Sequence, residues 1–250
     1  MSGAGTGYDL STTTYNPEGK IFQVEYAVKA TENGYTIVGL KCKDGILVAG
    51  EKSITSRMLV QGSNKISYGL TKHAGAIITG VVPDGRAVMS RARQEAVQYQ
   101  QIYSKEMGPK VLSDRIAQFM QLFTSYPIRP FGSVVIVAGL DGNEPKLFMV
   151  DPSGNYYQYY ACSAGKGHQI CKTEMDKLDL SNMTCRETVF HLAKMLVKCR
   201  GEGQEKLFEI EMSWMNQETV FCLVPVPRDL LDQEIQAAEK ALEDEEMGED

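Results

Sequence analysis

The sequence predicts an α+β protein arranged as a four-layer alpha-beta-beta-alpha sandwich, and three observations carry that expectation. Strand-like and helix-like patterns come in blocks: strands, two helices, strands, two helices, strands. Several strand-like runs, VVIVAGL at 134–140 among them, are almost continuously apolar although hairpin-type turns join them. Antiparallel sheets made of such strands must be covered on both faces, and two stacked sheets between helix layers achieve this. No Ser/Gly-rich linker divides the 250 residues, so they read as one domain over 16–227, with a tail at 1–15 and an acidic helix and tail at 228–250.

The elements follow in order. Asn16-Pro17-Glu18 has the form of a helix start: Asn caps free amides, Pro has no donor to waste, and Glu complements the dipole. A helix is expected over 17–32, with a left-handed stop at Asn33-Gly34. Its apolar residues (Ile21, Phe22, Val24, Tyr26, Ala27, Val28, Ala30) fill more than one stripe, which predicts cover from a second chain. YTIVGLKC and ILVAGEK flank the hairpin signal Lys43-Asp44-Gly45, and HAGAIITG at 73–80 is a further strand. Helical periods run through Val88, Ala92, Ala96, Tyr99 and Tyr103, then through Leu112, Ile116, Phe119, Met120 and Phe123. VVIVAGL and LFMVD flank the turn at Asp141-Gly142-Asn143, and YYQYYACS follows a turn at Pro152-Ser153-Gly154. A short helix carrying Cys171, Met175 and Leu178 precedes a longer one marked by Val189, Leu192, Ala193, Leu196 and Val197. LFEIEMSWM and TVFCLVP close the strands, and an acidic helix ends the sequence.

Composition narrows the function. At 43% hydrophobic residues the chain can bury a full core, while its longest apolar runs fall far short of the roughly 20 residues of a membrane span. MSGAGTG has neither the basic nor the apolar region of a signal peptide, so an intracellular protein is expected. The net charge of -6 is uneven: residues 228–250 hold ten acids against Arg228 and Lys240, leaving the rest slightly basic. No dense Lys/Arg run gives the electrostatic footprint of a nucleic-acid binder, and proteins are the expected partners. The far acidic end, 239–250, reads either as a solvated tail or as a face for a basic partner.

Catalytic motifs are sparse. The six cysteines include no CxxC pair and read as reduced thiols; His73, His168 and His191 are too scattered for a short metal motif. No metal site and no cofactor are expected. Asn182-Met183-Thr184 fits a glycosylation acceptor, a chance match in a chain without a secretory signal. Ala164-Gly165-Lys166-Gly167 lacks the third glycine of GxGxxG and the Ser/Thr of a P-loop, so it reads as a tight strand-to-helix turn. No serine sits in a GxSxG elbow, and no histidine has a neighbouring acid that marks a triad. The hydroxyl-rich tract GAGTGYDLSTTTYNPEGK at 3–20 poses the remaining question, whether it holds a nucleophile or forms a tail ordered only by partners.

YDLSTTTYNPEGKIFQVEYA closely resembles the N-terminal signature of the proteasome alpha-type subunits. The resemblance continues through GEKSITSRMLVQGSNKI (50–66), TGVVPDGRAV (79–88), IRPFGSVVIVAG (128–139) and DPSG (151–154), nearly the whole chain. Tyr8-Asp9-Leu10 departs from the usual Tyr-Asp-Arg, and Asn16 replaces the usual Ser; with the acidic C-terminus, the chain is most similar to the seventh ring position. The resemblance implies the sandwich of the N-terminal-nucleophile hydrolases in a catalytically inactive form. It also implies a place among other alpha subunits in a heteroheptameric ring of the 20S core particle, contacts with beta subunits and with regulatory particles or activators, and a location in cytoplasm and nucleus.

Laid on the pattern of the catalytic beta subunits, the sequence puts Tyr35 at the position of the nucleophilic Thr, Glu51 near the Asp and Lys65 at the Lys. A phenol inside a chain has no alpha-amine to act as its base. Gly5-Thr6 is similar to a processing site, but Gly-Tyr-Asp follows it, and neither Thr6 nor Thr12, Thr13 or Thr14 leads directly into a core strand. The resemblance therefore implies a non-catalytic gate tail, with Tyr8, Asp9, Pro17 and Tyr26 as gate residues, and no catalytic residue. It further implies that Gly34, Lys65 and Gly80 form a pocket for the C-terminal tail of an activator in ubiquitin-dependent and other protein degradation. Four alternatives stand: an active threonine protease of the beta type, a free-standing binding module, a strand-end surface role for Lys65, and a tail that is simply disordered and leaves closure to other subunits.

Overall fold

The computed structural model describes residues 7–54, 56, 58–60, 62–200 and 208–248. In chain order the elements are α1 (Phe22–Glu32), β1 (Ile37–Lys41), β2 (Gly45–Ser53), β3 (Ser67–Gly69), β4 (Ala74–Gly80), α2 (Val82–Tyr103), α3 (Pro109–Ser125), β5 (Ser133–Asp141) and β6 (Glu144–Val150). They continue with β7 (Tyr156–Tyr159), β8 (Ala161–Ala164), α4 (His168–Met175), α5 (Cys185–Lys198), β9 (Phe208–Asn216), β10 (Val224–Pro225) and α6 (Arg228–Gly248).

Two five-stranded sheets form, ordered β10-β9-β2-β1-β8 and β3-β4-β5-β6-β7, and every pairing is antiparallel. Alternation along the strands explains the apolar runs. In β5, Val135 and Val137 face α2 and α3, while Val134, Ile136 and Ala138 face the other sheet. In β2, Leu47 and Ala49 meet the helices α4, α5 and α6, and Ile46 and Val48 meet the second sheet. Each of these two strands thus buries both faces, and the order helix, sheet, sheet, helix follows.

The hairpin turn also builds the layer above it. Asp44 Oδ1 accepts from Cys185 N at 2.7 Å, so the turn between β1 and β2 satisfies an open amide at the start of α5. Thr184 completes that end: its Oγ1 accepts from Glu187 N, and Glu187 Oε2 accepts from Thr184 N at 2.8 Å, a capping box. Thr184→Ala is expected to lower unfolding stability by about 1 kcal/mol. Urea titration of both chains checks this, and an unchanged midpoint would show that Asp44 alone suffices.

Several expectations need correction. The first helix starts at Phe22, not at residue 17. Asn16 does cap, but it caps a turn: Oδ1 accepts from Glu18 N at 3.0 Å and Lys20 N at 2.7 Å, while Asn16 N donates to Lys20 O. The turn closes on itself before the helix can begin. Asn33 ends α1 at φ -88° rather than in the left-handed region, with Gly34 N donating to Thr31 O. Leu178 lies beyond α4, which stops at Met175. TVFCLVP is a turn for most of its length: Asn216 and Thr219 exchange backbone-to-side-chain bonds of 3.0 Å, Val220 and Phe221 take φ values of 52° and 53°, and only Val224–Pro225 pairs with β9.

YYQYYACS is not one strand. β7 pairs with β6 in one sheet, β8 pairs with β1 in the other, and the chain crosses between them at Tyr160, whose carbonyl accepts from Lys41 N at 2.8 Å. Helix α1 touches β4 and β5, and this contact buries only Ala27 and Thr31, leaving Tyr26 41% exposed. The acidic end is helical up to Gly248 and is tied back to the body: Glu239 pairs with Arg200 at 3.2 Å and Glu245 with Lys194 at 2.5 Å.

Candidate functional site

Three groups of residues lie around α1 and the end of β4. The first is the N-terminal segment. Its expected dependence on partners for order is corrected for residues 9–12, which are fastened to the chain's own body. Thr12, buried, donates its hydroxyl to Tyr126 O at 2.5 Å, and Gln23 Nε2 donates to Asp9 O. The segment lies as a strap over the start of α1. Of the four expected gate residues, Asp9 is held by its carbonyl beside the first turn of α1, one helical turn from Tyr26, which stacks on Phe22 at 6.1 Å. Tyr8 and Pro17 are exposed, Pro17 within the closed turn, and neither is in a described contact with Asp9 or Tyr26. Leu10 is 88% exposed. Residues 1–6, with Gly5-Thr6, lie outside the described residues.

The second group is Gly34 and Gly80, which lie backbone to backbone. A Cβ on Gly34 would collide with Gly80 N and stand 2.6 Å from Thr79 Oγ1; Gly80, at φ +97°, would drive one into Gly132 O. Only glycine fits at either place. Thr79 Oγ1 donates to Tyr35 O, tying the two segments together. Lys65 is near in sequence register but in a different hollow. Ser67 pairs with Ile77 and Ile78 N donates to Ile66 O, so Lys65 continues β3 beside Thr79. Yet Lys65 lines a cavity of about 520 Å³ with Ser67, Leu223 and Leu231, whereas Gly34 lines a separate one of about 220 Å³. Among the described residues, Lys65 lines the larger of these two hollows and Gly34 the smaller.

The third group holds Tyr35 and Glu51, the residues the sequence comparison laid on a nucleophilic centre. Tyr35 precedes β1 with its amine in a peptide bond to Gly34, and its carbonyl is taken up by Thr79. Glu51, 6% exposed, accepts from Arg200 Nε at 2.6 Å; burial pushes its carboxyl above the ordinary value, and the guanidinium opposes the rise. Burial and ion pairing occupy this carboxylate already.

The cluster next door is more unusual, and no sequence motif had marked it. Lys52 is 1% exposed, and its ammonium is held by Asn64 O at 2.6 Å, Glu211 at 2.8 Å and Glu209 at 3.4 Å. Glu211 also accepts from Ile66 N, Ser67 N and the Ser67 hydroxyl, so it ties β9 to β3 across the sheets. Burial alone would raise its carboxyl, but Lys52 and Ser67 together hold it below the ordinary range. A signal was present: Glu209 and Glu211 stand two apart in FEIEMSW and so share a face, and Lys52 lies directly across from Glu209.

A bidentate pair supports the strap. Arg129 gives two bonds of 2.6 and 2.7 Å to Asp84, which also accepts from Gly132 N at 2.9 Å. Burial would raise the Asp84 carboxyl, but the hydrogen bonds from Arg129 and Gly132 outweigh it and lower the pKa. That clamp fixes the loop whose Tyr126 carbonyl receives Thr12 and whose Gly132 packs on Gly80. Among the described residues, no group of three or more His, Cys, Asp or Glu could hold a metal ion, and no helix is long and apolar enough to cross a membrane.

Comparison with known proteins gives a consistent result. A family model described as "Proteasome subunit" matches residues 31–215, and a second, for the N-terminal signature of A-type proteasome subunits, matches residues 8–30. The chain is 46% identical over 245 residues to proteasome subunit alpha type-3 of Oryza sativa subsp. japonica, covering 98% of each chain. The same identity and coverage relate it to proteasome subunit alpha type-3 of Arabidopsis thaliana. Identity to the probable proteasome subunit alpha type-7 of Saccharomyces cerevisiae is 40% over 247 residues, 97% of this chain and 86% of that one. Matched almost end to end by such relatives, and over its strap by the signature of the alpha type, the chain belongs to the proteasome alpha-type subunit family.

Proposed function

We propose that the chain is a non-catalytic subunit of the proteasome alpha ring whose N-terminal segment forms part of a gate over the axial pore and whose outer end receives activators. The match of residues 8–30 to the alpha signature carries this reading. Two geometric facts support it. The segment runs as a strap beside α1 instead of leading into β1, and the residue that does lead there, Tyr35, has no free amine. A closed gate favoured by ~1–3 kcal/mol opens under activator contacts of ordinary strength. Deleting residues 2–12 in the assembled particle is expected to raise hydrolysis of small peptides without activator severalfold, with active-site labelling unchanged. A wild-type rate would remove this segment from the barrier. Recovery of a chain starting at Thr6 would favour the beta-type protease instead.

We further propose that Lys65, with Gly34 and Gly80, receives an activator's terminal carboxylate once a neighbouring subunit closes the pocket between them. A charge-assisted bond of this kind is worth roughly 1.5–3 kcal/mol. Lys65→Ala is therefore expected to weaken binding of an activator-tail peptide at this pocket by about tenfold or more. Undiminished binding at that pocket would leave Lys65 as a surface lysine.

A further inference from the structure

Two thiols meet beside the hollow that Tyr35 and Glu51 line. Cys171 lies in α4 and is fully buried; Cys199 caps the end of α5, and their sulfurs are 3.4 Å apart. Cys199 also stands 3.5 Å from Gly167 O, and a Cβ on Gly167 would lie 2.7 Å from its sulfur, so the glycine leaves the room that the thiol occupies. It is only half-buried, because it lines the cavity of about 220 Å³ that Tyr35, Glu51, Lys166 and Arg200 share. One sulfur is thus open to a small solute and the other is enclosed behind it. The hydrogen bond from Cys171 lowers the Cys199 pKa against burial and the charges of Glu51 and Glu174, while the same bond raises that of Cys171.

The other close thiols differ in the feature that matters. Cys42 and Cys185 are both buried, neither lines this cavity, and Cys42 donates to Thr188. Cys222 is half-exposed but sits in the turn before β10, where its sulfur lies 3.9 Å from Val220 O.

We propose that Cys171 and Cys199 form a peroxide-responsive dithiol, with Cys199 as the attacking thiol and Cys171 as the resolving one. The Cys199 thiolate attacks one oxygen of a hydroperoxide; the O–O bond breaks, and the leaving oxygen takes up the thiol's proton as water or an alcohol. This leaves a sulfenic acid on Cys199. The Cys171 sulfur then attacks the Cys199 sulfur, the S–O bond breaks, and the departing hydroxyl leaves as water with the Cys171 proton. Two thiols are oxidised and one hydroperoxide is reduced. Bringing the sulfurs from 3.4 Å to a bonded separation of about 2.0 Å requires only small side-chain movement. The product staples the start of α4 to the end of α5, next to Arg200, which reaches both Glu51 and Glu239.

The test exposes the full-length chain, alone and in the assembled particle, to hydrogen peroxide. Free thiols are then alkylated in denaturant and the digest is read by mass spectrometry. The expected product is a Cys171–Cys199 linked peptide, lighter by two hydrogens, with Cys42 and Cys185 still alkylated. In Cys171→Ser, dimedone should trap a sulfenic acid on Cys199; in Cys199→Ser, Cys171 should stay reduced. Full alkylation of both thiols at a peroxide dose that oxidises Cys222 would overturn the proposal. So would oxidation of Cys171 in the Cys199→Ser chain, or Cys42 and Cys185 reacting at the same rate as the proposed pair.

Discussion

Glu211→Ala is expected to lower the unfolding free energy of the chain by about 3–5 kcal/mol, because it strands the buried Lys52 ammonium with Asn64 O and the more distant Glu209. It also removes the acceptor of Ile66 N and Ser67 N, and with it the polar tie between β9 and β3. An exposed pair such as Arg228 with Asp232, 3.7 Å apart, gives the contrast: breaking it should shift stability by about 0–1 kcal/mol. The two-fold replacement Lys52→Met with Glu211→Leu separates causes. If the loss comes from an uncompensated charge, the double variant should recover a large part of it. Urea titrations of the three chains decide, and a Glu211→Ala loss under about 1 kcal/mol would show that Glu209 and solvent take over the charge.

Asp84→Ala should cost about 2–4 kcal/mol at neutral pH, from the lost bidentate pair and a buried Gly132 N–H left without its acceptor. The pH dependence has a definite sign. A carboxylate whose folded pKa lies below its unfolded one stabilises fully above the unfolded value, about 3.9, and that contribution fades as pH falls through the folded value. The native chain should therefore lose stability more steeply with acid than the variant, and the gap between the two curves should narrow as pH falls through the folded value. Parallel curves would mean that Asp84 is not the group responsible. Because Arg129 steadies the loop that holds Thr12, the same variant should be nicked faster by protease within residues 8–12.

The layered fold was legible because periodicity reports burial, and burial on both faces leaves continuous apolar runs such as VVIVAGL. Long helices and the Asp44-Gly45 hairpin were legible for similarly local reasons. What escaped depends on distant partners. Nothing within YYQYYACS marks the change of sheet at Tyr160, since both halves are strands and only their neighbours differ. Asn16 looked like a helix cap because its side chain does accept amide protons; the competing closure onto Lys20 lies in the turn geometry. β3 is too short, at three residues, to show a period. In the candidate site, the collision that excludes a side chain at Gly34 comes from Gly80 and Thr79, more than forty positions away, so residue type alone gave no reason for it. Gly34 was legible as a helix stop and Gly80 only through the resemblance, and neither reading contained the contact between them.

The crossing at Tyr160 has a mechanical consequence. The sheets are joined covalently along one margin, β7 running through Tyr160 into β8, and Glu211 with Ser67 rivets the opposite margin. Sliding one sheet over the other would have to tear the β7 and β8 ladders together, so shear within the sandwich has no soft direction. A subunit built this way behaves as a stiff brick. Any widening of a passage bordered by such bricks must come from tilting whole bricks against one another or from lifting the strap fastened at Asp9 and Thr12. The two attachments of that strap, one hydrogen bond each, are far weaker than the walls they rest on.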